Sequence, residues 1–264
     1  MADDMYLDAA SGNAASPGMD VPTLRAPRSR REWHLAADLL AAAFHEDPFN
    51  RILMPDAAAR RRVFVQVYRM LLRFFRIDGT ILLLSDQSEG GGAATHAGSA
   101  LPGKAGGAVP AGVIVFRAEG ERRSAGKRLA RLLRLAAAFA QALALPVRML
   151  FMGVAGELLR RSRSLRASYG TLREAYKPFE DRPYLSLELV AVRSDLRGNG
   201  LMGRMLRPLF EEADRRGLAI VLNTETPENL PIYAHYGFET AAAVEVVPDV
   251  LTYHVLFRKP ARIQ

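Results

Sequence analysis

The residues of this chain best spaced for chemistry form the run Arg197-Gly-Asn-Gly-Leu-Met-Gly203. An apolar strand stops before them at Val192, a short polar turn covers Arg193 to Arg197, and an amphipathic helix opens after them. Glycines at Gly198, Gly200 and Gly203 let the backbone turn sharply and come close to a ligand. N–H groups at the start of a helix point outward and, with the helix dipole, attract anions. The stretch reads as a backbone cradle for a phosphate or pyrophosphate.

Two phosphate ligands compete for that cradle. Gly198-Asn-Gly-Leu-Met-Gly203 spells the dinucleotide fingerprint G-x-G-x-x-G, and Glu225 stands ~20 residues on, where a ribose-binding carboxylate is expected. In that fold the first strand runs directly into the first glycine, whereas here Arg193 to Arg197 intervene. That fold also needs several strands afterwards, and too little chain remains after Gly203 to build them. The dinucleotide reading fails on room.

The elements that must position the cradle follow from periodicity and turn chemistry. Residues 1–21 read as a disordered tail. Thr23 to Ala26 can form a short edge strand after Pro22. Leu35, Leu39, Leu40 and Phe44 recur at helical spacing from Arg30 to Phe44, and His45-Glu-Asp-Pro48 ends that helix. A second helix runs from Ala57 to about Ile77, with Val63, Val67, Met70, Leu71 and Phe74 on one face. Strands follow at Ile81–Leu84 and Gly112–Phe116. The Gly/Ala-rich insert 85–110 separates them, so an antiparallel pair is the simplest arrangement. Residues 117–183 read as a helical insertion that includes a helix over 156–176.

Leu185 to Val192 is the strongest strand. The helix after the glycines carries Pro208, which should kink it or remove one hydrogen bond. Gly217 is its natural stop. The strand Leu218–Leu222 then implies a parallel crossover. A short helix around 229–236 and strands from Phe238 and around Leu251–Phe257 complete a single domain over 22–264.

Arg197-Gly-Asn-Gly-Leu-Met202 resembles the acetyl-CoA signature Q/R-x-x-G-x-G/A of the GNAT superfamily of N-acetyltransferases, with Met202 where Gly or Ala is usual and Gly203 next. Asn229-Leu-Pro-Ile-Tyr-Ala-His-Tyr-Gly-Phe238 looks like the Asn-containing helix of that family, ending in Y-x-x-x-G-F. The His45-Glu-Asp-Pro48 turn looks like an acceptor-side feature of some bacterial members. The resemblance is strong over about residues 184–240 and weaker over 23–116. It implies an α/β fold with a central mixed, mainly antiparallel β-sheet flanked by helices, and a helical insertion before the cofactor-binding strand. It also implies acetyl-CoA as cosubstrate. Backbone amides of Arg197, Gly198, Asn199, Gly200, Leu201, Met202 and Gly203 would hold the pyrophosphate. Val190, Ala191 and Val192 would pair with the pantetheine arm, a backbone N–H polarising the thioester carbonyl.

On the same resemblance Tyr233 is the general acid for the departing thiolate, the alternative being a packing tyrosine. Tyr236 reads as structural. Glu188, on the central strand, can deprotonate an ammonium acceptor or serve as an ion-pair partner. Asn229 can bond the cofactor arm, cap its helix, or do both. Glu46 and Asp47 can attract a cationic acceptor or form a solvated turn. His235 and His254 lack metal-ligand spacing, and no metal is expected.

The chain has 264 residues, no cysteine and a net charge of +8. Without cysteine, disulfides and an enzyme-bound thioester are excluded. No apolar run reaches the ~18 residues of a membrane helix, the first residues lack signal-peptide character, and the cytoplasm is the expected compartment. The positive charge suits an anionic partner. Arg122, Arg123, Lys127, Arg128, Arg131 and Arg134 sit among leucines, which reads first as a solvated helix packing its apolar side inward. The expected activity is acetyl-CoA-dependent N-acetyl transfer to an amine of a small molecule or peptide, by direct attack in a ternary complex. The competing reading is a non-catalytic acyl-CoA-binding module whose basic helix contacts nucleic acid or a protein.

Overall fold

A computed structural model describes residues 23–85, 109–120, 170, 173–179, 181–247 and 249–261. The tail 1–21, nearly all of the insert 85–110 and the basic stretch from Arg122 to Arg134 lie outside them. Of the helix expected over 156–176, residue 170 and residues 173–176 are described, and these are helical.

The chain opens with β1 (Leu24–Arg25) and α1 (Arg30–Ala43). Ser29 caps α1 by accepting from the Glu32 N–H, while Glu32 reaches back to the Arg28 N–H and pairs with Arg25 at 2.7 Å. This variant of the capping box fastens the helix start to the edge strand. The His45–Pro48 turn ends α1 as the sequence indicates, but it also starts α2 (Pro48–Leu53). Asp47 accepts from Phe49 N–H at 3.1 Å and Asn50 N–H at 3.4 Å, and Pro48 fills the first helical position. Aspartate before proline is a helix-start signal, and here it outweighs the stop.

Helix α3 (Ala57–Asp78) is capped by Asp56. Its buried face is Ala59, Arg60, Val63, Phe64, Tyr68 and Leu72, rotated from the expected stripe, with Val67 and Leu71 at its margin. Arg60 causes much of the difference. Only 3% exposed, it donates to the carbonyls of His45, Met54 and Pro55 and to Glu46. An arginine can be buried when its donors are met in this way.

The remaining strands are β2 (Gly79–Leu84), β3 (Gly112–Glu119), β4 (Tyr184–Val192), β5 (Ala219–Thr224), β6 (Glu239–Val247) and β7 (Leu251–Arg258). Between β4 and β5 lies α4 (Leu201–Arg216), and α5 (Leu230–His235) follows β5. Among the described residues the strands form a seven-stranded sheet in the order β1-β2-β3-β4-β5-β7-β6. Every neighbouring pair is antiparallel except β4 and β5, which run parallel across the α4 crossover. Helices α1 and α3 cover one face through Val113, Val115, Ile81 and Leu83. Helix α4 covers the other, its Leu206, Leu209 and Ala213 meeting Ile114, Phe116 and Leu185. Pro208 leaves α4 unbroken, and Gly217 ends it in the left-handed conformation, φ 63°.

One irregularity sets the centre of the sheet. Val115 pairs with Leu189 while Phe116 pairs with Leu187, so Glu188 is an extra residue in β4. Such a bulge bends its strand and inverts the alternation beyond it. Leu185 and Leu187 accordingly pack toward α4, and past the bulge Val190 does so while Leu189 and Ala191 turn toward α1 and α3.

Candidate active site

Parallel pairing of β4 with β5 stops after Ser186 and Val221, and the two strands then part. From Leu187 to Val192, β4 keeps β3 on one side and, among the described residues, has no strand on the other. The opening is a cleft of about 1610 Å³, lined by Leu187–Val192 on one wall and Leu222–Thr226 on the other. A cleft at the carboxyl ends of parting parallel strands is where ligands bind in open α/β sheets. At more than the ~1,000 Å³ upper size of ordinary small-molecule pockets, it has room for two substrates side by side.

The glycine loop closes one end. Arg197, Gly198, Gly200, Leu201 and Met202 line the cleft. Gly200 caps α4 in the left-handed conformation, φ 69°, where no side chain is available to satisfy the first turn. None of the N–H groups from Gly198 to Gly203 has a hydrogen-bond partner among the described residues. An uncapped sixteen-residue helix presenting this row of donors suits a pyrophosphate. Asn199 takes no place in the cleft lining; its amide holds the loop by donating to the Leu196 carbonyl at 3.1 Å. The unusual Met202 is partly buried against the α4-side core while also lining the cleft. Close approach is needed one residue later, since a Cβ on Gly203 would lie 3.2 Å from the Tyr236 hydroxyl.

Tyr233 reaches the cleft from α5. It is 8% exposed, held edge-on to Phe238 at 5.6 Å, and its hydroxyl has no hydrogen-bond partner among the described residues. Burial and the charge of Glu225 push its pKa up to about 12, so the phenol stays protonated and available as a donor. Tyr236 packs against Phe210 and crowds Gly203, a structural position. Asn229 does not cap α5 with its side chain; it donates to Thr224 Oγ1 at 3.2 Å, fixing the end of β5. Glu188, at the bulge, is bound to Arg117 at 2.7 Å, and Arg117 also pairs with Glu119. This ion pair supports the structural alternative for Glu188, because its carboxylate is already engaged by a guanidinium.

Sequence reasoning missed the partnership of Asp47 with Glu225. Asp47 comes from the turn between α1 and α2, Glu225 from the first position after β5, and both line the cleft. Their carboxyl groups adjoin closely enough for each to perturb the other, an arrangement that favours one proton held between the two. Burial and the charge of Asp47 push Glu225 up to about 8, and burial also raises Asp47 above the usual carboxylate range. Tyr68 stands beside them, its hydroxyl accepting from the Asn50 amide at 3.3 Å. Its pKa is raised first by burial and then by both carboxyls. The signal for Glu225 was an acid at the carboxyl end of an apolar parallel strand; nothing local pointed to its partner.

No family model matches the chain. A curated relative, an uncharacterized N-acetyltransferase of Schizosaccharomyces pombe, is 30% identical over 76 residues, which is 28% of this chain and 31% of the relative. The matched stretch thus spans about a third of that protein's length. Among solved structures, a histone acetyltransferase HPA2 and related acetyltransferase from Corynebacterium glutamicum superposes with a TM-score of 0.51 at 16% identity. It covers 92% of this chain and 98% of its own. The arylalkylamine N-acetyltransferase 2 of Aedes aegypti gives a TM-score of 0.51 at 12% identity, covering 90% and 99%. With its splayed, mostly antiparallel sheet and helices on both faces, this chain has the fold of the GNAT acetyltransferases.

Proposed function

We propose that the chain is an acetyl-CoA-dependent N-acetyltransferase that passes the acetyl group to an amine of a small molecule or peptide by direct attack in a ternary complex. The observation that carries this reading is the parted pair β4/β5, with an uncapped, donor-rich helix start at one end and the unpartnered Tyr233 hydroxyl inside. The N-acetyltransferases it resembles in fold and in part of its sequence support the same reaction class.

Acetyl-CoA, as donor substrate, supplies the thioester. N–H groups from Gly198 to Gly203, beside Arg197 whose own N–H is taken by the Ser194 carbonyl, would receive its pyrophosphate, and Val190 to Val192, unpaired on the cleft side among the described residues, would receive its extended arm. A backbone N–H of β4 would stabilise the developing oxyanion. The acceptor must lose its ammonium proton before attack. Glu188 is engaged by Arg117, whereas Asp47 and Glu225 adjoin each other on the cleft with no cation on either among the described residues, so the pair is assigned as the base. The amine nitrogen then bonds to the carbonyl carbon as the C–S bond breaks. The sulfur takes a proton from Tyr233, which regains one from the surplus released by the nitrogen. With no cysteine in the chain, no acyl group can reside on an enzyme sulfur on the way.

The test is mass spectrometry of an amine panel incubated with acetyl-CoA and the protein, alongside calorimetric titration of CoA. Acetylated amine and bound CoA are expected. Tyr233→Phe should lower turnover by roughly 10²-fold while CoA affinity holds. CoA binding without any acetylated product would favour a non-catalytic acyl-CoA-binding module instead.

A further inference from the structure

The cleft has a second end, opposite in character to the glycine loop. There Phe44, Phe49, Leu71, Phe75 and Tyr253 contribute an apolar wall. Phe49 meets Tyr253 edge-on at 6.2 Å, bracing α2 against β7, and Phe44 stacks on Tyr68 at 5.8 Å, bracing the end of α1 against α3. Set among them are the carboxyls of Asp47 and Glu225.

Three observations define what this end can hold. Two adjoining carboxyls on the cleft, Asp47 and Glu225, favour holding one proton between them and so a single negative charge, which one monocation balances. Glu46, the other acid of the turn, is occupied by Arg60 at 2.9 Å and has His45 at 3.2 Å, so it adds no free second anion there. Tyr233, 8% exposed and with no hydrogen-bond partner on its hydroxyl among the described residues, lines the same cleft, close enough to Glu225 to feel that carboxyl's charge. A buried carboxyl pair is costly unless a cation or proton compensates it, whereas an apolar wall gains by covering hydrocarbon.

We propose that the acceptor is a primary amine carried on an apolar body, aromatic or branched. The Asp47–Glu225 pair receives its ammonium, and Phe49, Leu71, Phe75 and Tyr253 cover its hydrocarbon. This rests on the acetyl-transfer reading and narrows it: a polyamine or a free polar amine forfeits the wall, and an apolar alcohol forfeits the pair. Either carboxyl alone can still supply one negative charge when a cation arrives. Single neutralisation is therefore partly tolerated, and double neutralisation is not.

The test is calorimetric binding to the full chain in the presence of CoA. The probes are 2-phenylethylamine, 2-phenylethanol and putrescine, titrated into wild type, D47N, E225Q and the double variant. Asn at 47 keeps the oxygen that caps α2, and CoA affinity serves as the check of folding in every variant. Wild type should bind 2-phenylethylamine at least roughly tenfold more tightly than either other probe. The double variant should lose roughly tenfold or more in that affinity, the single variants less, with CoA affinity unchanged. Equal binding of 2-phenylethylamine by wild type and double variant overturns the proposal, as does putrescine binding as tightly or no amine binding at all to the CoA complex. Failure of wild type to bind CoA would instead strike the acetyl-transfer reading.

Discussion

At the scale of single residues, the most consequential side chains are polar ones in apolar surroundings. Glu225 is protonated more readily in the folded chain than in the unfolded one, its pKa raised from 4.5 to about 8 by burial and by Asp47. The folded state therefore binds more protons between those values, and stability falls as pH rises through that window. Glu225→Gln removes the titration while keeping a hydrogen-bond donor for Asp47. In urea unfolding, the variant should gain stability relative to wild type between pH 5 and pH 9; an equal difference at both values would contradict the shared proton. Arg60 acts in the opposite sense, by completing hydrogen bonds. Arg60→Met would leave the carbonyls of His45, Met54 and Pro55 without their donor, and should destabilise by about 2–4 kcal/mol in the same assay. An effect within ±0.5 kcal/mol would show that the turn holding Asp47 does not depend on it. Spacing marked the glycines, the family resemblance marked Tyr233, and Asp47 stood only as one of two readings of its turn. The sequence could not mark Arg60, because one arginine among Arg60, Arg61 and Arg62 looks like any other until its burial is known.

At the scale of elements, the loop into α4 and the bulge in β4 shape the proposed site. Gly200 holds φ 69°, where an added side chain is strained even though the space in front of it is open. Gly200→Val should weaken CoA binding by roughly tenfold or more as the N–H row tilts, with a cost to folding of ~1–2 kcal/mol. Unchanged CoA affinity would remove the loop from the donor site. The loop was legible because glycine spacing is a local requirement. The bulge was not: Leu187 to Val192 is apolar nearly throughout, and a central strand covered on both faces carries no alternation to reveal a slip. The stripe on α3 was misread for a related reason, since apolar residues surround that helix and packing against α1 chose the face. Helix α2 was overlooked where its start signal overlaps the stop of α1.

At the scale of the whole molecule, sheet order turns separate motifs into one site. The parallel crossover through α4 was readable from strand, helix and strand in sequence, and it puts the glycine loop at the carboxyl end of β4. The meeting of Asp47 with Glu225 was not readable, because it depends on α1 and α3 covering the sheet face on which β4 and β5 part. Donors gather at one end of the cleft and the carboxyl pair with aromatic rings at the other, so both substrates should be held at once. Initial rates of CoA thiol release, measured over a grid of acetyl-CoA and 2-phenylethylamine concentrations, test that most directly. Amine-dependent release with intersecting double-reciprocal lines is the result expected of a ternary complex. Parallel lines, or no amine-dependent release at all, would contradict it.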